Sequence, residues 1–459
     1  MRAPADAPRP TNNKHFTTYR VGNHMRIGVI GAGIAGLYAA WRLSRQHQVT
    51  VFEAGSYPGG HTNTIDVDWQ GKQYAVDTGF IVFNDWTYPN FIAMLRELGV
   101  QWQPSNMSFS LRCERTGLEY NGTSLNALFA QRSNIVSPSF LRMIYDILRF
   151  NRESRALLKT NDDKLTLSEY LRANGYSESF AERYILPMGR AIWSAEADAM
   201  LSFPARFFVD FFERHGFLNI DNRPQWQAVK GGSREYVRKL IAAMQAEVKL
   251  STPIESIRRR PNEVEVCTNK GEVHRFDHIF IACHSDQALD MLSDPTPAEQ
   301  EVLKAFPYAA NEAILHTDTS VLPRRPLARA AWNYHALKNP QQPVALTYDM
   351  NILQTLDAPT RFLVTLNHAD AIDKSKIIQR IAYHHPVYLP QGVAAQARHR
   401  EVNGARRTYY CGAYWRYGFH EDGVVTAMRA LEHFQWDLTA RGEAAAGTEV
   451  VPAPAASVA

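Results

Sequence analysis

The sequence predicts an α/β fold, in which a discontinuous Rossmann-like domain carries a second, mixed helical and antiparallel-sheet domain. Three observations predict it. A strand–turn–helix–strand unit lies near the N-terminus, between residues 26 and 54. Further strand-like pieces follow far downstream, after two long insertions. The chain has 459 residues, which is more than one ordinary hydrophobic core supports.

The first unit contains a glycine motif for nucleotide binding. Gly31, Gly33 and Gly36 form G-x-G-x-x-G between an apolar strand and a helix, and the next strand ends on Glu53. The glycines permit a tight turn, the approach of a pyrophosphate, and close packing of helix on strand. The helix N-terminus offers amides to phosphates, and Glu53 can accept hydrogen bonds from ribose hydroxyls. The residues predicted to bind a dinucleotide here are Gly31, Gly33, Ile34, Ala35, Gly36, Glu53 and Ala54.

The residues after Glu53 identify the type of dinucleotide. A Gly59-Gly60 pair is followed by His61, and Asp77-Thr78-Gly79 comes later. This order resembles the flavin-containing amine oxidase superfamily, which includes phytoene desaturases and protoporphyrinogen oxidases and has G-G-R followed by D-x-G. The resemblance implies FAD as the cofactor, bound in part by Gly59, Gly60, His61 and Thr62. Because His61 replaces the usual arginine, it can donate to a phosphate, but its charge varies with pH.

Later pieces of the chain resemble the same superfamily. A Gly231-Gly232 pair precedes a helical pattern, and a following strand contains Ile254, which the resemblance places on the adenine side of the cofactor. Near the C-terminus, Gly412-Ala413 resembles the flavin signature, with alanine where the family has an aspartate that contacts the ribityl chain. The resemblance implies a helix N-terminus facing the isoalloxazine ring. The cofactor contacts expected in this last piece are Gly412, Ala413, Asp422, Gly423 and Val424.

Several longer segments resemble a narrower branch of the superfamily. They include residues 77–91, 184–194 and 412–423. That branch comprises bacterial FAD-dependent oxidoreductases that are often encoded beside cyclopropane-fatty-acyl synthase-like methyltransferases. The resemblance implies modified membrane fatty acids as the substrate class and a methyltransferase as a candidate partner.

The pieces define a predicted domain organisation. The FAD-binding domain is expected in three parts and the substrate domain in two, the first helical and the second rich in strands. A disordered leader and tail, with polar and linker-like composition, are expected at the ends. The predicted bounds are 1–24 for the leader, 25–99, 223–286 and 405–440 for the FAD-binding domain, 100–222 and 287–404 for the substrate domain, and 441–459 for the tail.

Composition and charge indicate where in the cell the protein is expected to act. The net charge is +4, which favours binding to an anionic lipid surface only mildly. The sequence has no run of about 18 apolar residues, so no membrane-spanning helix is predicted. The four cysteines show no C-x-x-C spacing, which is typical of reduced thiols in the cytoplasm. The sequence therefore predicts a cytoplasmic protein. Peripheral association with the inner face of the membrane is a further prediction. No nucleic-acid partner is expected, and His384-His385 lacks a third ligand for a metal site.

Two segments of the first insertion have alternative interpretations. Residues 140–155 combine apolar residues at helical spacing with Arg142, Arg149, Arg152 and Arg155. They form either a core helix with a solvated basic face or a surface helix that rests on anionic phospholipid. Residues 201–218 contain six phenylalanines, which either belong to the core or line a long apolar tunnel.

The second insertion contains polar residues at unusual density within strand-like runs. A sheet over the flavin would expose alternate side chains to a pocket. The candidate pocket residues are His316, Asn333, Tyr348, Asn351 and, from the C-terminal piece, Trp415. The predicted catalytic residues are His316, Asn333, Tyr348 and Trp415, although a buried structural role is the alternative for each histidine.

Together these patterns favour a FAD-dependent dehydrogenase or desaturase that acts on an unsaturated or methyl-branched acyl chain. A hydride leaves an allylic position more easily than a saturated one because the developing charge is delocalised. The main alternative is a flavin amine oxidase, although Lys338 and Lys374 match no pattern of that enzyme. Two further alternatives are a redox-neutral flavin isomerase and a non-catalytic flavoprotein that presents lipid to a partner.

Overall fold

The computed structural model describes residues 24–339 and 342–441. Apart from residues 24 and 441, the predicted leader and tail lie outside the described residues. The strands in chain order are β1 (Arg26–Ile30), β2 (Gln48–Phe52), β3 (Thr64–Trp69), β4 (Lys72–Asp77), β5 (Val82–Asn84), β6 (Trp102–Pro104), β7 (Phe109–Cys113), β8 (Glu119–Asn121), β9 (Trp226–Val229), β10 (Ala246–Lys249), β11 (Ile254–Arg259), β12 (Val264–Thr268), β13 (Val273–Phe276), β14 (His278–Ile281), β15 (Tyr308–His316), β16 (Trp332–Ala336), β17 (Ala345–Asp349), β18 (Leu363–Leu366), β19 (Ile377–Pro386) and β20 (Thr408–Tyr410).

Helices connect and cover these strands. In chain order they are α1 (Ile34–Leu43), α2 (Pro89–Glu97), α3 (Leu125–Leu128), α4 (Pro138–Glu153), α5 (Leu167–Ala173), α6 (Glu178–Phe180), α7 (Leu186–Trp193), α8 (Ala197–Leu201), α9 (Ala205–Arg214), α10 (Arg234–Ala243), α11 (Ser285–Met291), α12 (Pro297–Lys304), α13 (Met350–Leu353), α14 (Pro390–Gln396), α15 (His399–Val402) and α16 (His420–Ala440). Within the residues described, no helix is both long and apolar enough to cross a bilayer.

The first sheet is parallel and has the order β10-β2-β1-β14-β20. Its strands come from the beginning, middle and end of the chain, and its central strands are continuously apolar because both faces are covered. Helices α1 and α16 pack against each other on one face. The chain leaves β1 for β2 on one side and reaches β14 on the other. Ligands in such sheets bind at this reversal, beyond the carboxyl ends of the strands.

The second sheet has the order β19-β15-β18-β17-β16-β7-β8. Its pairs are antiparallel except for β7 with β16. Strands β7 and β8 belong to the first insertion, so that insertion is not only helical. Helices α4 to α9 form a separate layer around the buried side chains of Phe150, Phe180 and Trp193. This arrangement of parallel sheet, mixed sheet and helical layer confirms the predicted fold class.

Candidate cofactor and substrate site

The glycine turn after β1 forms one end of a cavity. Gly31 has a φ of +100°, which residues with a Cβ rarely adopt. A Cβ on Gly33 would meet no atom within 4 Å, whereas a Cβ on Gly36 would lie 1.9 Å from the Gly31 carbonyl oxygen. Gly33 therefore leaves open space for a ligand, and Gly36 permits α1 to pack on the turn.

Glu53 at the end of β2 is held by two backbone amides. Its Oε2 accepts from the Ala32 N–H at 2.8 Å, and its Oε1 accepts from the Gly55 N–H at 2.8 Å. Glu53 and Ala54 both line the cavity. Because each carboxylate oxygen has further lone pairs, Glu53 can accept hydrogen bonds from a ribose while it fixes the glycine turn against β2.

The loop from Gly59 to His61 packs against the glycine turn. The Gly59 N–H donates to the Ala32 carbonyl at 2.8 Å, and a Cβ on Gly60 would lie 3.3 Å from the Gly33 Cα. Gly59, Gly60 and His61 line the cavity, but Thr62 does not. The Thr62 hydroxyl instead lies 2.8 Å from the His420 Nε2, so Thr62 is not among the residues of the cavity wall, where the sequence predicted a cofactor contact.

The cavity has a volume of about 1310 Å³, more than the roughly 300–1,000 Å³ of a typical single-ligand pocket. Its first end contains the glycine turn and Ile254, and its opposite end is an apolar arm. The size and the two ends suit a dinucleotide together with an apolar second ligand. The side chains that define the apolar arm are Met107, Phe109, Leu128, Ile144, Ile147, Met188, Ile192, Trp193 and Trp332.

The apolar arm reaches the protein surface between α3, α4 and the loop after α9. Leu125, Leu148 and Ile220 line the cavity and are nevertheless 77%, 48% and 66% exposed. Leu141 and Tyr145 are also exposed and lie on the same face of α4 as Leu148, since the spacing is i, i+4 and i+7. We call these five residues the apolar mouth.

Four histidines lie together in the wall of the cavity. His61, His284, His384 and His385 all line it, and we call them the histidine cluster. The His61 ring centroid lies 5.2 Å from that of His385 and 6.4 Å from that of His284. Tyr383 stacks on His61 with a centroid distance of 4.9 Å. No metal-binding group of histidine, cysteine or carboxylate side chains is found in the described part of the chain.

Three rings of the cluster, those of His61, His284 and His385, have lowered pKa values. Burial and the neighbouring His284 ring lower the pKa of His61 to about 4. Burial and the other cluster histidines lower the pKa of His284 to about 4 and the pKa of His385 to about 3. At neutral pH these three rings are therefore neutral imidazoles, each with one donor and one acceptor nitrogen.

A chain of hydrogen bonds fixes the tautomer of His385. The Glu312 backbone N–H donates to the Asn367 Oδ1 at 2.8 Å, which orients that amide. The Asn367 Nδ2 then donates to the Asn311 Oδ1 at 2.7 Å, so the Asn311 Nδ2 faces the His385 Nδ1 at 3.0 Å. Because an amide nitrogen can only donate, the His385 Nδ1 accepts, and the proton of the neutral ring lies on Nε2.

With this geometry established, comparison with known proteins assigns the family. The family model described as flavin containing amine oxidoreductase matches residues 34–347, which is more than half of the chain. The chain belongs to the flavin-containing amine oxidoreductase family. The cofactor is therefore FAD, and the resemblance seen in the sequence is confirmed at this level. The narrower methyltransferase-associated branch stays a prediction.

Curated relatives of this flavoprotein match part of its length. A putative flavin-containing monoamine oxidase, AofH, of Mycobacterium tuberculosis is 26% identical over 292 residues, which cover 60% of this chain and 61% of that protein. A probable zeta-carotene desaturase of Synechococcus elongatus is 22% identical over 269 residues, which cover 54% of this chain and 53% of that protein. The chain thus spans between about half and three fifths of the length of these relatives.

Solved structures share the fold of this flavoprotein. A CLA-producing fatty acid isomerase from P. acnes matches with a TM-score of 0.66 and 17% identity, covering 89% of this chain and 98% of that one. Cyclohexylamine oxidase from Brevibacterium oxydans matches with a TM-score of 0.65 and 14% identity, covering 90% and 99%. At these identities the likeness shows the fold.

The residues at the first end of the cavity fit FAD. The empty space beside Gly33 accepts a phosphate, and Glu53 faces the same end for a ribose. The His61 Nε2 is shielded from solvent and has no hydrogen-bond partner, which is costly unless a ligand supplies one. Gly412 and Ala413 line the cavity further along.

The first turn of α16 differs from the prediction. His420 lines the cavity, whereas Asp422, Gly423 and Val424 do not. Asp422 accepts from the Phe419 N–H at 2.9 Å, and Val424 is fully buried. A Cβ on Gly423 would lie 2.7 Å from the Ile34 side chain. Asp422 therefore caps α16, Gly423 and Val424 pack α16 against α1, and the structure places none of the three in the cavity wall where cofactor contacts were predicted.

Two predicted catalytic residues lie in the second sheet away from the cavity. His316 is fully buried, with its Nε2 2.7 Å from the Thr365 Oγ1 and its Nδ1 accepting from the Asp318 N–H. Asn333 is buried, and its Oδ1 accepts from the Ala330 N–H at 2.9 Å. The side chains of both residues form hydrogen bonds with neighbouring strands and loops. The catalytic role predicted for them is therefore corrected to a structural one.

The remaining candidates divide between cavity and core. Tyr348 lines the apolar arm as predicted for a pocket residue. Trp415 is 2% exposed and packs against Phe306 at a centroid distance of 5.3 Å, outside the cavity wall. Asn351 donates to the Thr360 carbonyl. Trp415 and Asn351 are therefore corrected to structural residues.

The phenylalanine-rich segment is mostly core. Phe211 and Phe217 line the cavity. The other four, Phe203, Phe207, Phe208 and Phe212, are buried in the helical layer. Because residues at helical spacing point in different directions, most side chains of this segment pack in the helical layer and do not line the cavity.

Sequence reasoning missed most of the histidine cluster. His284 follows β14 directly, at the carboxyl edge of the parallel sheet. Tyr383 and His385 are two residues apart on β19, so they face the same side. The alternation of side chains along a strand indicates that Tyr383 and His385 share one side of the sheet. Only the order of the strands shows that this side faces the cavity.

Proposed function

We propose that this flavoprotein is a dehydrogenase or desaturase that acts on an unsaturated or methyl-branched fatty acyl chain. The observation that carries the proposal is the apolar arm, which runs from the cofactor end of the cavity to the apolar mouth. Among the described lining residues, carboxylates lie only near the nucleotide end and at the surface opening. These are Glu53, Glu255 and Asp290 at the nucleotide end and Asp221 at the opening.

The absence of a carboxylate within the described arm favours a lipid over a cationic amine. Removing an ammonium group from water without a partner costs several kcal/mol even after the protein relaxes around it. An acyl chain has no such cost and gains about 0.8 kcal/mol for each buried CH₂. The lining of Ile144, Ile147 and Ile192 suits a methylene chain.

When bound, FAD would supply a two-electron acceptor for the hydride, and the proton lost as the double bond forms would pass to solvent. The residues of this chain hold the substrate carbon in place and exclude water. Tyr348 and Trp332 meet edge to face at a centroid distance of 5.1 Å in the wall of the arm, and they can clamp a chain beside the cofactor. Such positioning is a large part of catalysis for two reactants that must be aligned.

The relatives are named for two kinds of oxidation and for one isomerisation. A zeta-carotene desaturase and a 1-hydroxycarotenoid 3,4-desaturase are named for desaturation, and a fatty acid isomerase with this fold is named for an acyl substrate. A monoamine oxidase and an L-amino-acid oxidase are named for amine oxidation. Amine oxidation is therefore the second candidate, supported by relatives more than by the lining of the arm.

We also propose peripheral membrane association through the apolar mouth, at the cytoplasmic face of the inner membrane. The basic residues first considered for this role are partly engaged elsewhere: Arg142 pairs with the buried Asp146, and Arg149 donates to the Asn174 carbonyl. Arg152 remains 76% exposed beside Glu153. Exposed apolar residues at a cavity opening are typical of lipid contact. A methyltransferase partner remains a proposal from the sequence resemblance.

The proposal is tested by oxygen or dye consumption with lipid extracts. Wild-type protein should consume the electron acceptor with lipid, and Ile147→Arg should abolish this while the protein stays yellow, because a charge would block the arm. Leu327→Arg, at an exposed position outside the cavity lining, is the matched control. Consumption with simple amines and none with lipid would favour the second candidate.

A further inference from the structure

His61 of the histidine cluster lies where the family has an arginine. His61 occupies the third position of the G-G-R pattern and directly follows Gly60, whose Cβ position lies 3.3 Å from the Gly33 Cα. The cluster is therefore beside the turn that receives the dinucleotide phosphates.

Permanent positive charge is missing from this end of the cavity. Arg223 is the only lysine or arginine among the described lining residues, and it lies two residues from Asp221 at the opening. Glu53 and Glu255 line the nucleotide end instead. A helix N-terminus contributes only about half an elementary charge, which is too little to neutralise a diphosphate beside these carboxylates.

We propose that His61 takes up one proton when FAD binds and pairs with the cofactor diphosphate as an imidazolium, in the place of the missing arginine. FAD binding is then linked to pH. This inference rests on FAD as the cofactor and is independent of the lipid substrate proposed above.

The geometry favours His61 over His385 as the ring that takes up the proton. His385 cannot carry a second proton without losing its Asn311 hydrogen bond, because its Nδ1 accepts from that amide. The His61 Nε2 has no partner in the protein. Since the rings lie about 5 to 6 Å apart, one imidazolium disfavours another, and a single proton is expected.

Titratable groups face His61 from several elements. His284 follows β14, and β19 contributes Tyr383, His384 and His385. His420, at the start of α16, also lines the cavity and interacts electrostatically with His61. None of these groups is a carboxylate, so the cofactor diphosphate is the partner available to an imidazolium.

The sign of the pH dependence follows. Burial first, and then His284, hold the pKa of His61 at about 4 before the anion arrives, and a nearby diphosphate raises it. When binding raises the pKa of a group, protonation of that group strengthens binding. The gain in affinity is complete at pH values below the pKa of the group in the FAD-free protein. That affinity is lost as pH rises from about 4 to the bound-state pKa, by up to tenfold for each pH unit.

The test is FAD release from diluted holoprotein between pH 5.5 and 8.0, followed by the fluorescence of free FAD. The wild-type Kd should rise by up to tenfold per pH unit across part of this range. His61→Arg should give a low Kd that does not vary with pH, and His61→Gln a high Kd that does not vary. His215→Gln, at a lining histidine outside the cluster, should keep the wild-type slope.

Each outcome is decisive, provided that circular dichroism shows folded variants at each pH. A wild-type Kd that does not vary with pH would overturn the inference. A wild-type slope in His61→Gln would overturn the assignment to His61. Failure to bind FAD at every pH would overturn the cofactor and this inference together, whereas failure of lipid oxidation would leave the inference standing.

Discussion

The Asn311 Nδ2 donates to the His385 Nδ1 at 3.0 Å, and this one contact sets which nitrogen of a cavity histidine carries the proton. Its direction is fixed by the Glu312 backbone amide through Asn367. A neutral His385 therefore presents an Nε2–H donor. Hydrogen bonds of this kind orient imidazoles in many functional sites.

Replacing Asn311 with aspartate should reverse that tautomer. An aspartate oxygen can only accept, so the His385 proton should move to Nδ1 and its Nε2 should become an acceptor. Selective ¹⁵N-histidine NMR measures the protonation of each ring nitrogen. Asn351→Asp, which alters a partly buried amide elsewhere in the same domain, should leave the His385 signals unchanged. A protonated Nδ1 in the wild-type protein would contradict the hydrogen-bond chain.

Gly33→Val should abolish FAD retention. The side chain would occupy the open space beside the turn, where a Cβ meets no protein atom, and would block the phosphates. The protein should purify colourless but folded, as judged by absorbance and circular dichroism. Gly122→Val is the control, since Gly122 also lines the cavity with open space around it; that variant should stay yellow.

Trp415→Ala should destabilise the protein. Because Trp415 is buried against Phe306 and His399, its removal should cost about 3–5 kcal/mol of the free energy of unfolding. Urea denaturation of both holoproteins measures this difference. Trp436→Ala, at a side chain that is 52% exposed, should change stability much less. Unchanged stability together with slow flavin reduction would restore Trp415 as a pocket residue.

Serine at Leu141, Tyr145 and Leu148 should weaken binding to anionic phospholipid vesicles by about tenfold or more. Each half-exposed side chain is expected to contribute on the order of 1 kcal/mol on burial in lipid. Co-sedimentation measures the bound fraction, and a large part of the wild-type binding should persist at high salt because it is apolar. Val273→Ser, exposed on β13, should bind normally. Equal binding by the triple variant would show that the apolar mouth does not contact lipid.

The sequence predicted the fold and the nucleotide end well because both follow from local rules. The glycines, the strand periods and the position of Glu53 each depend on a few neighbouring residues. The prediction of catalytic residues was less accurate, because it depends on which face of a distant strand lines the cavity. His316 and Asn333 share strand patterns with Tyr348, yet only Tyr348 lines the arm. Similarly, the aromatic character of Trp415 does not distinguish core from pocket.

The central claim is that the apolar arm presents a lipid to FAD. Anaerobic absorbance of the flavin band, after addition of unsaturated or methylated phospholipid or of simple amines, tests it most directly. The proposal predicts bleaching by lipid in the wild-type protein and none in Ile147→Arg. Bleaching by amines but never by lipids would contradict the proposal and favour an amine oxidase.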